Sequence, residues 1–176
     1  MLVIIGPSAS GKTQIVNSLI QFYKMKKMVT YTTRPIRNQE VNGIDYYFIK
    51  KEEFLKKITN NFFLEYVSYN GYYYGTANNE LSSDKVVIVE KEGLKAYLQK
   101  AKEQIKIVFI RCSKPIRRLR MMERNDDLEC IHTRLIHDDE IFDDEVRELA
   151  DLIIDTSNSN VYDDAKKIYE FYKKYI

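Results

Sequence analysis

An apolar run, Leu2-Val3-Ile4-Ile5, leads straight into Gly6-Pro7-Ser8-Ala9-Ser10-Gly11-Lys12-Thr13, and an amphipathic stretch continues from Lys12 to Tyr23. This succession constrains the fold more than any other feature of the chain. The segment satisfies G-x-x-x-x-G-K-[ST] at every fixed position and sits between a strand-like and a helix-like run, the context the motif requires. Its glycines let the backbone curl so that successive N–H groups point inward, and the helix N-terminus behind them adds partial positive charge. Such a loop is suited to phosphate. Gly6, Pro7, Ser8, Ala9, Ser10, Gly11, Lys12 and Thr13 are therefore candidate contacts for ATP. Lys12 is the candidate bridge between the β- and γ-phosphates, and the Thr13 hydroxyl the candidate ligand for Mg²⁺.

The rest of the chain agrees with a strand–loop–helix start. Val86 to Val89, Ile105 to Ile110 and Leu152 to Ile154 are short, β-branched and continuously apolar, as expected of strands covered by helices on both faces of a parallel sheet. Helix-like segments lie between or after them: Lys91 to Lys102, Lys114 to Glu123, Ile131 to Leu149 and Val161 to Tyr175. The expected fold is α/β, a P-loop NTPase-type parallel sheet flanked by helices. Two regions interrupt it. From Met28 to Thr76 the sequence is tyrosine-rich and strand-like, with Asn42-Gly43 and Asn70-Gly71 as turns, which predicts a small, mostly β insert. Arg117 to Arg134 is polar and charge-dense, which predicts a flap in the form of a helical lid. The boundaries read as one domain: core at about 1–29, 77–116 and 135–176, insert at about 30–76, lid at about 117–134.

Composition closes off other classes. With 28 basic and 26 acidic residues the 176-residue chain carries a formal charge of +2, which argues against a polyanion-binding surface and so against nucleic acid as partner. No run approaches the length of a membrane span. The first residues lack a basic leader, and the two cysteines, Cys112 and Cys130, are too few for a disulfide framework, so a cytoplasmic protein with reduced thiols is expected. A GTPase would need an Asn-Lys-x-Asp element to read guanine, and the chain has none.

The insert carries a second constellation. Thr32-Thr33-Arg34-Pro35-Ile36-Arg37 places two arginines three residues apart, a pair of forks suited to a dianionic phosphate. Val41-Asn42-Gly43-Ile44-Asp45-Tyr46-Tyr47-Phe48, Phe63-Leu64-Glu65 and Tyr73-Tyr74-Gly75-Thr76 follow. T-T-R-x-x-R, V-N-G-x-D-Y-x-F, F-[IL]-E and Y-Y-G-[ST], in this order after a P-loop, resemble guanylate kinase over essentially the whole chain.

The resemblance implies ATP-dependent, Mg²⁺-assisted phosphorylation of GMP, and of dGMP, with ATP and GMP as small-molecule partners of a monomer or homodimer. It assigns the GMP phosphate to Arg34, Arg37, Tyr46 and Tyr74, and the guanine base to Glu65, Thr76, Thr30 and Glu90. A carboxylate at Glu65 is complementary to the N1–H and N2–H₂ donors of guanine and repels the bare N1 of adenine. It also assigns Arg120, Arg124 and Arg134 to the transferring phosphoryl group. Arg117 and Arg118 read as solvated helix-surface arginines, with one of the two about evenly balanced between that and a phosphate contact, His132 and His137 as solvated surface groups beside Asp138 and Asp139, and Tyr23, Tyr97, Tyr162, Tyr169, Tyr172 and Tyr175 as packing residues. Departures are visible: Ile88 and Glu90 stand where the family carries Asp-x-Asp, the stretch from Thr76 to Val86 is short, and Arg134 lies one residue nearer Arg124 than is usual. Two other readings remain open here, a non-catalytic protein-binding module of the same fold and a P-loop kinase for another phosphate ester. The intact P-loop argues against the first and Glu65 with Tyr46 and Tyr74 against the second.

Overall fold

The computed structural model describes residues 1–37, 40–69, 71–78, 81–89 and 91–176. They form two compact units, one made of Met1–Lys27, Ser83–Lys91 and Ile105–Ile176, the other of Met28–Ser82 with Glu92–Gln104.

The first unit is built on a five-stranded sheet in which every pairing is parallel. Its strands are β1 (Leu2–Ile5), β2 (Lys26–Lys27), β7 (Lys85–Ile88), β8 (Lys106–Arg111) and β9 (Leu152–Asp155), in the order β2-β7-β1-β8-β9. β1 is central and buried along its whole length, which is why its four residues are continuously apolar. Helix α1 (Lys12–Tyr23) lays Ile15, Val16 and Leu19 against Leu2, Ile4, Val86 and Val108, and α7 (Val161–Tyr172) adds Ala165, Ile168 and Tyr172 to the same core. Each such aliphatic side chain taken fully out of water contributes about 1.5–3 kcal/mol. The chain leaves β1 for β2 and β7 on one side of it and then crosses to β8 and β9 on the other, so the loop leaving its C-terminal end opens at the switch point of the sheet, where ligands of open α/β folds bind.

The segment expected as one helix from Ile131 to Leu149 is two. Helix α5 (Leu128–Ile141) stops at Phe142, and Asp143 accepts a hydrogen bond from the Val146 backbone to cap a new short helix, α6 (Asp144–Glu148). The segment expected as a helical lid is largely helical: α4 (Lys114–Glu123) and α5 pack through Met121, Ile131 and Leu135, against which Ala9 also rests.

The second unit holds a four-stranded sheet of β3 (Thr30–Thr32), β4 (Tyr46–Phe48), β5 (Phe63–Tyr69) and β6 (Tyr72–Ala77), ordered β4-β3-β6-β5. Gly71, at φ +81°, turns β5 back on β6 in an antiparallel hairpin, as the sequence suggested. Asn42-Gly43 does not make a hairpin. Asn42 Oδ1 accepts from the Phe48 N–H and the Gly43 N–H donates to the Tyr46 carbonyl, a local loop that feeds β4 into parallel pairing with β3. The unit also contains two helices, α2 (Lys51–Thr59), which the tyrosine-rich pattern did not reveal, and most of α3 (Lys91–Ala101).

Candidate active site

In the first unit the loop after β1 has the backbone expected of a phosphate cradle. Gly6 (φ +145°), Ala9 (φ +58°) and Gly11 (φ +95°) all lie at positive φ. A Cβ on Gly6 would come within 2.3 Å of the Ile110 carbonyl oxygen, so only glycine lets the loop leave β1 this close to β8. Lys12 turns back over the loop, its Nζ donating to the carbonyls of Gly6 (2.6 Å) and Pro7 (2.8 Å). Thr13 stands exposed on the first turn of α1.

Three of the four sequence-selected catalytic residues belong to α4, its C-terminal cap and α5, and the structure treats them differently. Arg120 reaches the loop: its Nη1 donates to the Ala9 carbonyl (3.2 Å) and its Nη2 to the Thr156 carbonyl (2.8 Å), and Nη1 lies 3.6 Å from where a Cβ of Gly11 would be. Arg124, which caps α4, is exposed. Arg134 is also exposed and pairs with Asp126 at 3.1 Å.

Arg117 corrects the reading of a solvated arginine. It is 3% exposed and donates to Asp138 and Asp139, each at 2.9 Å. Asp138 is likewise buried, and its carboxylate accepts from both the backbone N–H (2.9 Å) and the hydroxyl (3.2 Å) of Ser8. The pair thus ties α4 and α5 to the tip of the loop after β1. His132 and His137 are exposed, as expected. Among the described residues no group of three His, Cys, Asp or Glu could hold a metal ion, and no helix is long and apolar enough to cross a membrane.

In the second unit, strand register gathers the selected residues. Thr30 pairs with Tyr46 across β3 and β4, Thr32 with Tyr74 across β3 and β6, and Glu65 with Thr76 across β5 and β6. Directly opposed residues share a face, and so do residues two apart on one strand. Thr30, Tyr46, Tyr74, Thr76 and Glu65 therefore all belong to one face of this sheet. The opposite face carries the aromatic filling: Phe54 of α2 stacks on Phe63 (4.4 Å) and Tyr73 (5.4 Å), and Tyr31 lies 4.7 Å from Tyr47. Gly75 is required there, since a Cβ would meet the Phe54 and Phe63 rings at 2.9 and 3.0 Å. Period-two alternation, Tyr73 inward and Tyr74 outward, sorts the tyrosines into filling and site.

Arg34 stands beside this face with its guanidinium 5.7 Å from the centre of the Tyr46 ring, and Tyr46 and Tyr74 are 6.1 Å apart. Its fork is engaged by Glu40, at 2.7 and 3.0 Å, which also accepts from the Arg37 backbone N–H; Arg34 holds the Glu40 carboxyl below its ordinary range. The Arg37 side chain is exposed. Glu40 went unnoticed in the sequence, although an acid three residues beyond the second arginine was a visible signal. Glu65 accepts from the Thr76 hydroxyl at 2.7 Å; burial pushes its carboxyl above the usual range, and Thr76 and Lys100 pull it partly back. Glu90 lies outside the described residues.

A family model for guanylate kinase matches residues 1–175. The chain belongs to the guanylate kinase family. It is 37% identical to the guanylate kinase of Helicobacter hepaticus over 145 residues, covering 77% of this chain and 72% of that protein. With the guanylate kinase of Anaplasma phagocytophilum it shares 30% identity over 174 residues, or 87% and 83% of the two chains. The crystal structure of guanylate kinase from that organism superposes with a TM-score of 0.70 at 22% identity, covering 99% of this chain and 84% of that one, so the fold is the same. The parallel sheet flanked by helices is thus a P-loop NTPase-type fold, and the chain is an enzyme of the nucleoside monophosphate kinase class.

Proposed function

We propose that this chain transfers the γ-phosphoryl group of ATP to the phosphate of GMP, and of dGMP, in the cytoplasm, where both nucleotides are found. The observation that carries the reading is the shared face of the second unit's sheet, where Glu65, Thr76, Thr30, Tyr46 and Tyr74 stand together with Arg34 alongside.

The acceptor phosphate is already an anionic nucleophile, so no general base is required and the protein's task is positioning and charge stabilisation. Arg34, with Arg37, Tyr46 and Tyr74, would hold the GMP phosphate, which would compete with Glu40 for the guanidinium fork. Glu65 would accept from guanine N1–H and N2–H₂. On the donor side, the loop from Gly6 to Thr13 would hold the ATP phosphates, Lys12 would exchange its carbonyl partners for phosphate oxygens, and Arg120 would bring a second cation to the same loop. Arg124 and Arg134 would add charge once the nucleotide is bound, Arg134 by leaving Asp126. We assign these three arginines to a lid at about 117–134 and the GMP residues to an insert at about 30–76.

The donor set fits a magnesium ion that arrives with the nucleotide. The exposed Thr13 hydroxyl is a hard oxygen ligand at the loop, and Ile88 supplies no carboxylate, so phosphate oxygens and water would complete the sphere. When bound, the ion neutralises charge between the β- and γ-phosphates.

Glu65→Gln tests the base assignment. An amide presents a donor where guanine needs an acceptor, so KM for GMP is expected to rise about 10- to 100-fold, with discrimination against AMP reduced. Unchanged GMP kinetics would remove Glu65 from the site.

A further inference from the structure

Tyr97 entered as a packing residue, and it is fully buried, but its hydroxyl is not idle. It lies 3.2 Å from Thr76 Oγ1 and 3.4 Å from Met28 Sδ, while Thr76 Oγ1 lies 2.7 Å from Glu65 Oε1. The polarity of this chain is fixed by its end. An ionised carboxylate can only accept, so the Thr76 hydroxyl must donate to Glu65. The Thr76 oxygen is then left to accept, and the tyrosine O–H supplies the proton. Thr76 is itself 1% exposed, so its hydrogen bond to Glu65 is made out of contact with solvent.

We propose that Tyr97 is a positioning residue for base recognition, acting through Thr76 to hold the Glu65 carboxylate in one orientation. The inference rests on the reading of Glu65 as the base-binding group. A hydroxyl rotor with no second partner would sample three wells and engage the carboxylate in one of them; the Tyr97 donor removes that freedom. Thr76 occupies one of the carboxylate's acceptor sites and leaves others for a base edge with adjacent donors. Helix α3 supports the arrangement twice within one turn: Tyr97 enters the relay, and Lys100 donates to the Leu64 carbonyl beside Glu65, its charge favouring the ionised carboxylate. Burial opposes that charge, and the Thr76 hydrogen bond and the Lys100 charge partly offset it.

Tyr97→Phe removes the hydroxyl and keeps the ring. KM for GMP is expected to rise about five- to tenfold, while kcat and KM for ATP stay within about twofold. The acid limb of the pH profile of kcat/KM for GMP is expected to move to higher pH. Loss of the relay leaves desolvation less opposed, and the carboxylate then protonates earlier as pH falls, with Lys100 and Thr76 as the remaining counterweights. A packing role alone would move neither that limb nor KM selectively. A double-mutant cycle completes the test: in a Glu65→Gln background, Tyr97→Phe is expected to add less than about twofold to KM. If Glu65→Gln raises KM for GMP and Tyr97→Phe does not, or if the two effects multiply independently, the relay is wrong and the base reader stands. If Glu65→Gln leaves KM unchanged, it is the underlying reading of Glu65 that fails.

Discussion

Lys12→Ala is expected to lower kcat for phosphoryl transfer by about 10³-fold or more, since in the proposed mechanism it removes the cation that follows the migrating charge between phosphates. The effect should fall on kcat more than on KM for GMP, because the acceptor face belongs to a different part of the chain. Lys12 bridges the carbonyls of Gly6 and Pro7, so the substitution also releases the loop. Steady-state turnover together with a thermal melt separates the two consequences: a folded Lys12→Ala protein with near-parental kcat would mean this loop is not the catalytic one.

The largest expected stability effect lies at a residue that neither nucleotide needs to touch. Arg117→Ala leaves Asp138 buried without its cation, and breaking a buried pair from one side costs about 3–5 kcal/mol. Asp138 keeps two hydrogen bonds from Ser8, which places the loss near the lower end of that range. At about 2–4 °C per kcal/mol for a domain of this size, the melting temperature is expected to fall by roughly 10 °C. Arg118→Ala, at an exposed position on the same helix, serves as the control and should change it little. Equal melting temperatures for the two variants would contradict the pairing. Because the pair also tethers Ser8, KM for ATP should rise in the Arg117 variant and not in the control.

These two cases mark how far the sequence could be read. Lys12 and its loop were legible because the motif, the preceding strand and the following helix are local, and β1 and α1 begin and end where the residues predict. Arg117 was not, because its partner lies 21 residues away on another helix and only tertiary packing brings them together. Helix α2 was hidden for a different reason. It buries a single residue, Phe54, and its remaining positions are mostly charged, so it carries too little apolar periodicity to stand out among the tyrosine-rich strands around it.

The insert shows a third kind of limit. The motifs named Tyr46, Tyr74, Thr76 and Glu65 one at a time, and strand register then put them on one face. Alternation within a strand could have suggested that Tyr74 and Thr76 share a side. It could not have supplied the pairing of Glu65 with Thr76, which passes a register shift between Phe63 and Glu65. Nor could it have shown that the hydroxyl of Tyr97, on a helix that follows in the chain, completes the set behind them. The two roles read for tyrosine in this unit, filling on one face and the proposed phosphate contacts on the other, have one residue type in sequence and two environments in space.

The central claim is that the chain phosphorylates GMP with ATP and reads the base through its hydrogen-bonding edge. The direct measurement is ADP release in a coupled assay with ATP and Mg²⁺, run against GMP, dGMP, AMP, CMP and UMP in turn. Turnover with GMP and dGMP, and little with the other three, is the expected result. Turnover with AMP or a pyrimidine nucleotide in preference to GMP, or with none of the five, would contradict it.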